Sequence, residues 1–212
     1  MAIPPLMEGA ARWHESLRYD SYSIALSEDF RNWGFTIYRT AYGPSTDEQW
    51  QQLLEEIRAQ AHAATLRLCE TTADDPAMQW LWSLFRLDAR SDPALDGLSM
   101  EQVRLLYRNG DGGVAMNADF RSHRVFLFAD AEVLSKANAI LVKCVEADYE
   151  AADYVPRHSR GGLGKHYYFG WMPMKAPEVV ALWKELEVND LEDIAPRMIE
   201  GRSPKIWESV AY

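Results

Sequence analysis

An α+β fold follows from three features of this sequence: a β-branched and aromatic run over 33–42, a long helical periodicity over 45–70, and later strand-like runs separated by short helices. Four strand-like runs, with a long helix after the first and a helix after the last, predict a largely antiparallel four-stranded sheet. Helices are expected on one face of it, in a ferredoxin-like or related order, with a helical insertion at about 74–110. The 212 residues contain no internal repeat, low-complexity run or linker, so the chain reads as one domain.

The elements follow in order. A polar lead-in over 1–30 holds a short helix around 9–18. The first strand, 33–42, is closed by Gly43-Pro44, and its alternation puts Phe35, Ile37, Arg39 and Ala41 on one face and Thr36, Tyr38, Thr40 and Tyr42 on the other. Ser45 and Glu48 stand at capping-box spacing, and Trp50, Leu53, Leu54, Ile57, Ala61, Ala64 and Leu68 then recur with helical period. Asp75-Pro76 opens a second helix whose stripe is Met78, Leu81, Trp82 and Phe85. Ser99 and Gln102 form another capping box, Leu98 and Val103 take the staple positions, and Asn109-Gly110 ends that third helix. Further strands are expected at 123–129, 140–147 and 165–172, the first two joined by a short helix around 131–138. Pro177 starts a helix with Val180, Leu182, Trp183 and Leu186 inward, and a short helical piece lies near 191–195.

Composition narrows the function. A net charge of −10 repels nucleic acid and anionic membranes as main partners. Cys69 and Cys144 stand far apart, outside any CxxC or Cys/His cluster, and read as reduced, buried small hydrophobes. The N-terminus lacks the pattern of a secretory signal, and no run approaches the roughly 20 apolar residues that span a bilayer. A cytoplasmic protein is the expectation. Eight Trp and ten Tyr are an excess that suits either a well-packed core or an aromatic pocket.

The segment 156–166 is the most unusual: Arg157, Arg160 and Lys165, His158 and His166, and three glycines, without an acid. Glycine backbone with Arg160 and Lys165 suits a phosphate or carboxylate group. The plainer account is a solvated hairpin whose charges neutralise Glu146, Asp148, Glu150 and Asp153. Neither a Walker loop nor a dinucleotide fingerprint fits, Lys165 being followed by His166, and no metal-ligand spacing or serine elbow appears. Strand phase places Glu146 and Asp148 on the face of Val142 and Cys144, and Arg39 on that of Phe35 and Ile37. A structural pair between Arg39 and either Glu146 or Asp148 would satisfy both partners; a polar cluster at a pocket mouth is the functional alternative. The residues singled out for chemistry are thus His166 or Asp148 as proton shuttle, Glu146 beside it, and Arg39 as anion or enolate stabiliser. Tyr38, Tyr168 and Trp82 are the expected pocket walls, with Arg160 and Lys165 contacting substrate.

The stretch WGFTIYRTAYGPSTDEQW over 33–50 and the later DPALDGLSMEQVR over 92–104 resemble uncharacterised proteins of filamentous fungi. In those, an IYRT-Y strand leads into a Trp-containing helix and a P-LDG-S-E-VR segment lies downstream. The resemblance implies a fungal, intracellular setting with a link to secondary metabolism. It carries over no catalytic residue, and it leaves out 157–166.

Two functions are compatible with these features. One is a cofactor-independent isomerase, cyclase or lyase acting on a small, partly aromatic or polyketide-like molecule, with Arg39 or His166 facing a closed cavity. The other is a non-catalytic interaction module, as a homodimer paired through its sheet.

Overall fold

The computed structural model describes residues 9–18, 30–135, 141–154, 166–196, 198–199 and 205–209. Within them the chain runs α1 (Gly9–Ser16), β1 (Trp33–Arg39), α2 (Thr46–Leu68), α3 (Pro76–Ser83), β2 (Phe85–Arg90), α4 (Met100–Asn109), β3 (Val125–Ala129), α5 (Ala131–Ser135), β4 (Leu141–Glu146), β5 (His166–Tyr167), β6 (Trp171–Lys175), α6 (Val179–Glu185), α7 (Leu191–Ile194) and β7 (Met198–Ile199). The α+β class holds, but the sheet is five-stranded and mixed, in the order β2-β1-β3-β4-β6, with β5 and β7 paired apart. β1 runs parallel to both β2 and β3, whereas β3–β4 and β4–β6 are antiparallel.

The unforeseen strand is β2. Phe85, assigned from the sequence to the stripe of the second helix, instead opens a strand, because α3 ends at Ser83. The segment FRLDAR has period two: Phe85 and Leu87 are buried, and Arg86 is exposed. The insertion at 74–110 is therefore not wholly helical. The return of the chain from β1 through α2 and α3 lays β2 beside β1 in the same direction. The expected strand at 165–172 is also two strands. Gly170 adopts φ +69, and the turn there separates β5 from β6. At 123–129 the strand begins at Val125, since Arg121–His123 form a 3-10 turn.

Helices cover both faces of the sheet, where one covered face was expected. The larger core joins Phe35, Ile37, Leu127, Val142, Cys144 and Met172 to Trp50, Leu53 and Ile57 of α2 and to Val180 and Trp183 of α6. The smaller one joins Tyr38, Phe126, Phe128 and Val145 to Val103 and Tyr107 of α4. A strand covered on both faces has no side to give to water, so β1 is buried along its whole length. At its start Trp33 donates from Nε1 to Leu81 O at 2.9 Å and packs against Trp13, Trp82, Phe85 and Trp183. Five of the eight tryptophans, Trp13, Trp33, Trp50, Trp183 and Trp207, are buried, so the aromatic excess is mainly core. Both cysteines are free and buried. Among the described residues no helix is long and apolar enough to cross a membrane.

The helix signals divide. Ser99 and Gln102 make the reciprocal capping box, Asp75 accepts from Ala77 N ahead of Pro76, and Gly110 closes α4 at φ 72. Pro177 lies in a 3-10 turn, Ala176–Glu178, that leads into α6. Ser45 does not cap α2. Its backbone is left-handed (φ 65) and its side chain makes no capping bond. The hydroxyl that organises this turn is that of Thr46, which accepts from Gly43 N at 2.9 Å and from the Arg39 guanidinium at 2.8 Å.

Two stability outcomes follow. Ser99→Ala should cost about 1 kcal/mol of unfolding free energy, and Ser45→Gly should add a few tenths or more by relieving the positive φ. Urea denaturation of both variants checks this; equal effects would contradict it. The second concerns His123, fully buried with its ring nitrogens on Ser122 Oγ and Trp183 O. Burial lowers its pKa from 6.5 to about 4. The unfolded chain therefore takes up a proton that the folded ring refuses as pH falls from 6.5 to 4. That contribution, complete above 6.5, is lost across the window and amounts to about 3 kcal/mol. The acid-side slope of stability should be shallower in His123→Gln than in the wild type.

Candidate functional site

β4 leaves the sheet at Glu146 and β6 enters it after Gly170, and the two ends are tied by Glu146 N donating to Gly170 O at 2.9 Å. Glu146 continues the Val142–Cys144 face, as its strand phase predicts, and its half-buried carboxylate accepts from Tyr168 OH at 2.7 Å. Burial raises the pKa of this carboxyl. Asp148 and Asp190 push it the same way, while the Tyr168 bond and the Arg104 charge oppose. Tyr149 donates from its OH to Tyr168 O at 3.2 Å, and the two rings meet edge to face at 5.7 Å. Arg104 of α4, only 4% exposed, donates from Nε to Glu146 O at 2.9 Å and from Nη2 to Gly170 O at 2.9 Å.

Of the residues singled out from the sequence, Glu146 and Tyr168 come together here, with Asp148 nearby. Asp148 is held by Arg124, whose Nη2 reaches Oδ1 at 2.9 Å, and a carboxylate so engaged is a poor proton shuttle. Arg39 meets neither acid. Register pairs Arg39 with Ala129 at the end of β3, and Glu146 with Val125 at its start, so the two stand at opposite ends of the sheet. The Arg39 guanidinium is instead bound by Asp47 at 2.6 Å, Thr46 Oγ1 and Ala41 O, and lies over the Tyr42 ring at 4.3 Å. Tyr38 is a core residue against Phe126, its phenol pushed up to about 12 by burial. Trp82 stacks on Phe85 at 4.5 Å, three strands away from β4. The contacts of these three residues are with Thr46, Phe126 and Phe85 rather than with Glu146. His166 lies on β5, paired with Ile199, outside the main sheet; its side chain, with Arg160 and Lys165, lies outside the described residues.

Sequence reading missed Arg104 and Tyr149. A signal for Arg104 existed: it follows Val103 and precedes Tyr107 by three, so it falls within the buried stripe of α4. A cation at such a position needs internal acceptors. Nothing local distinguishes Tyr149.

Among the described residues no group of three His, Cys, Asp or Glu could hold a metal. Two adjoining cavities of about 390 and 370 Å³ share Gly9, Leu68 and Cys69 at the end of α2. None of the residues named for chemistry lines them, so the closed cavity expected around Arg39 is not where these lie. No protein-family model, curated protein or solved structure matches the chain.

Gly170 ties this region to its neighbours: a Cβ there would come within 2.2 Å of the Tyr149 ring and 2.7 Å of Arg104 Nη2, at a φ of +69. Gly170→Ala should therefore lose about 2 kcal/mol of stability. Denaturation midpoints check it, and a neutral substitution would contradict the close packing.

Proposed function

We propose that this protein is a cofactor-independent enzyme that moves a proton on a small, partly aromatic or polyketide-like molecule, as an isomerase, cyclase or lyase. The observation that supports this reading is the half-buried Glu146 carboxyl, with raised proton affinity and Tyr168 OH on its oxygen at 2.7 Å. A carboxylate made more basic by burial can take a proton from an activated C–H and return it to another atom of the same substrate. No electron changes hands in such a step. Tyr168 steadies the carboxylate while it is charged and is near enough to donate to an oxyanion formed beside it. Glu146 thus takes the shuttle role that the sequence assigned to His166 or Asp148, and Arg39 drops out of the site. The fungal setting in secondary metabolism rests on the sequence resemblance.

A sheet-paired interaction module has less in its favour. Trp80, at 62%, is the one tryptophan of the eight that is mostly exposed, and on the outer strand β2 the Arg86 guanidinium bonds Phe85 O.

The reading is tested with a panel of small aromatic and polyketide-like compounds in D2O, following deuterium entry at carbon by NMR. Wild-type protein should catalyse exchange on a member of the panel, and Glu146→Gln should slow it by a factor of about 100 or more. Exchange that survives in Glu146→Gln, or an unchanged metabolite profile in a deletion strain, would count against it.

A further inference from the structure

The Arg104 guanidinium belongs to α4 but directs its bonds to two other elements. Nε donates to Glu146 O at 2.9 Å, and Nη2 donates to Gly170 O at 2.9 Å and to Phe169 O at 3.4 Å. Gly170 O also accepts from Glu146 N, so one carbonyl joins the end of β4, the entry of β6 and the guanidinium. The guanidinium carbon lies 4.9 Å from the centroid of the Tyr149 ring, whose hydroxyl in turn holds Tyr168 O. Carbonyls from both ends of the β4–β6 connection thus converge on one buried cation.

We propose that Arg104 is a positioning residue: its planar fork holds the ends of β4 and β6 in the arrangement that sets the Tyr168 hydroxyl against the Glu146 carboxylate. The inference deepens the acid–base reading of Glu146 and rests on it. A simple counter-charge explains the contacts less well. The guanidinium's carboxylate contact is to Glu101, 75% exposed and 3.4 Å away, and its shorter bonds go to carbonyl oxygens. Lysine supplies a comparable charge at a point but not a fork, so the two roles separate on Arg104→Lys. Among the described residues, the charged and titratable groups acting on Glu146 are Arg104 from α4, Asp148 just past β4, Tyr168 ahead of β6, and Asp190 ahead of α7.

The test follows the Glu146 carboxyl carbon by NMR titration of the full chain as wild type, Tyr168→Phe, Arg104→Lys and the double variant. Tyr168→Phe removes a bond that favours the carboxylate, so its midpoint should rise, on the order of one pH unit. Arg104→Lys keeps the positive charge; if the fork positions Tyr168, it should raise the midpoint by a similar amount, and the double variant should rise no further. A midpoint in Arg104→Lys equal to that of the wild type, or shifts that add in the double variant, would overturn the proposal. The wild type supplies a second readout that survives a failure of Arg104→Lys to fold: the Arg104 Nε–H resonance should move with the Glu146 midpoint. A resonance that stays flat through that range would overturn the proposal as well. The acid–base reading fails on a different result, a wild-type Glu146 that titrates in the ordinary carboxylate range. In that case the pattern of the variants still decides whether Arg104 positions Tyr168.

Discussion

Burial of β1 on both faces is the constraint from which most of this structure follows. A strand enclosed by α2 and α6 on one side and α4 on the other must satisfy every polar group internally. Thr36 does so by donating to Asp88 Oδ2 at 3.0 Å and accepting from Met116 N at 2.8 Å, which draws the 110–118 loop onto the sheet edge. Arg39 does so through Asp47, Thr46 and Ala41 O, which sets the turn into α2. Trp33 anchors the other end of the strand through Leu81 O.

The same requirement distributes the buried cations. Lys143, facing the smaller core, reaches Asp130 at 2.6 Å and Glu132 at 2.8 Å. Arg104 answers it with backbone carbonyls of 146 and 170. These two solutions differ in consequence. Paired with carboxylates, a buried cation is electrically quenched; bound to carbonyls, it keeps its charge close to Glu146 and lowers the carboxyl's pKa against the effect of burial. The proton affinity of Glu146 depends on that balance of burial, the Tyr168 bond, the Arg104 charge and the two aspartates Asp148 and Asp190.

Local rules were legible wherever the chain's near neighbours decide the outcome. Ser99 with Gln102, Asp75 with Pro76, and the alternation of Phe35, Ile37 and Arg39 need only residues within a few positions, and each behaves as its spacing predicts. Ser45 and Glu48 have the same spacing as Ser99 and Gln102 and do not cap. There the turn is organised by Thr46, bound to an arginine that β1 brings in. Phe85 was misread because FRLDAR is short and rich in charge, and only the place left beside β1 makes it a strand.

For the candidate site the division is sharper. The sequence by itself determined that Glu146 shares a face with Val142 and Cys144, because side chains alternate along a strand whatever its neighbours. It did not single out Arg104, although that cation falls within the buried stripe of α4. Which charge meets which was decided by strand direction and register alone. β1 and β3 are parallel, and β3 and β4 antiparallel, so Arg39 and Glu146 point to the same layer from opposite ends of the sheet. The partner of Glu146 became Tyr168, carried in by the chain just before β6, and direction and register are properties of the assembled sheet that no single segment encodes.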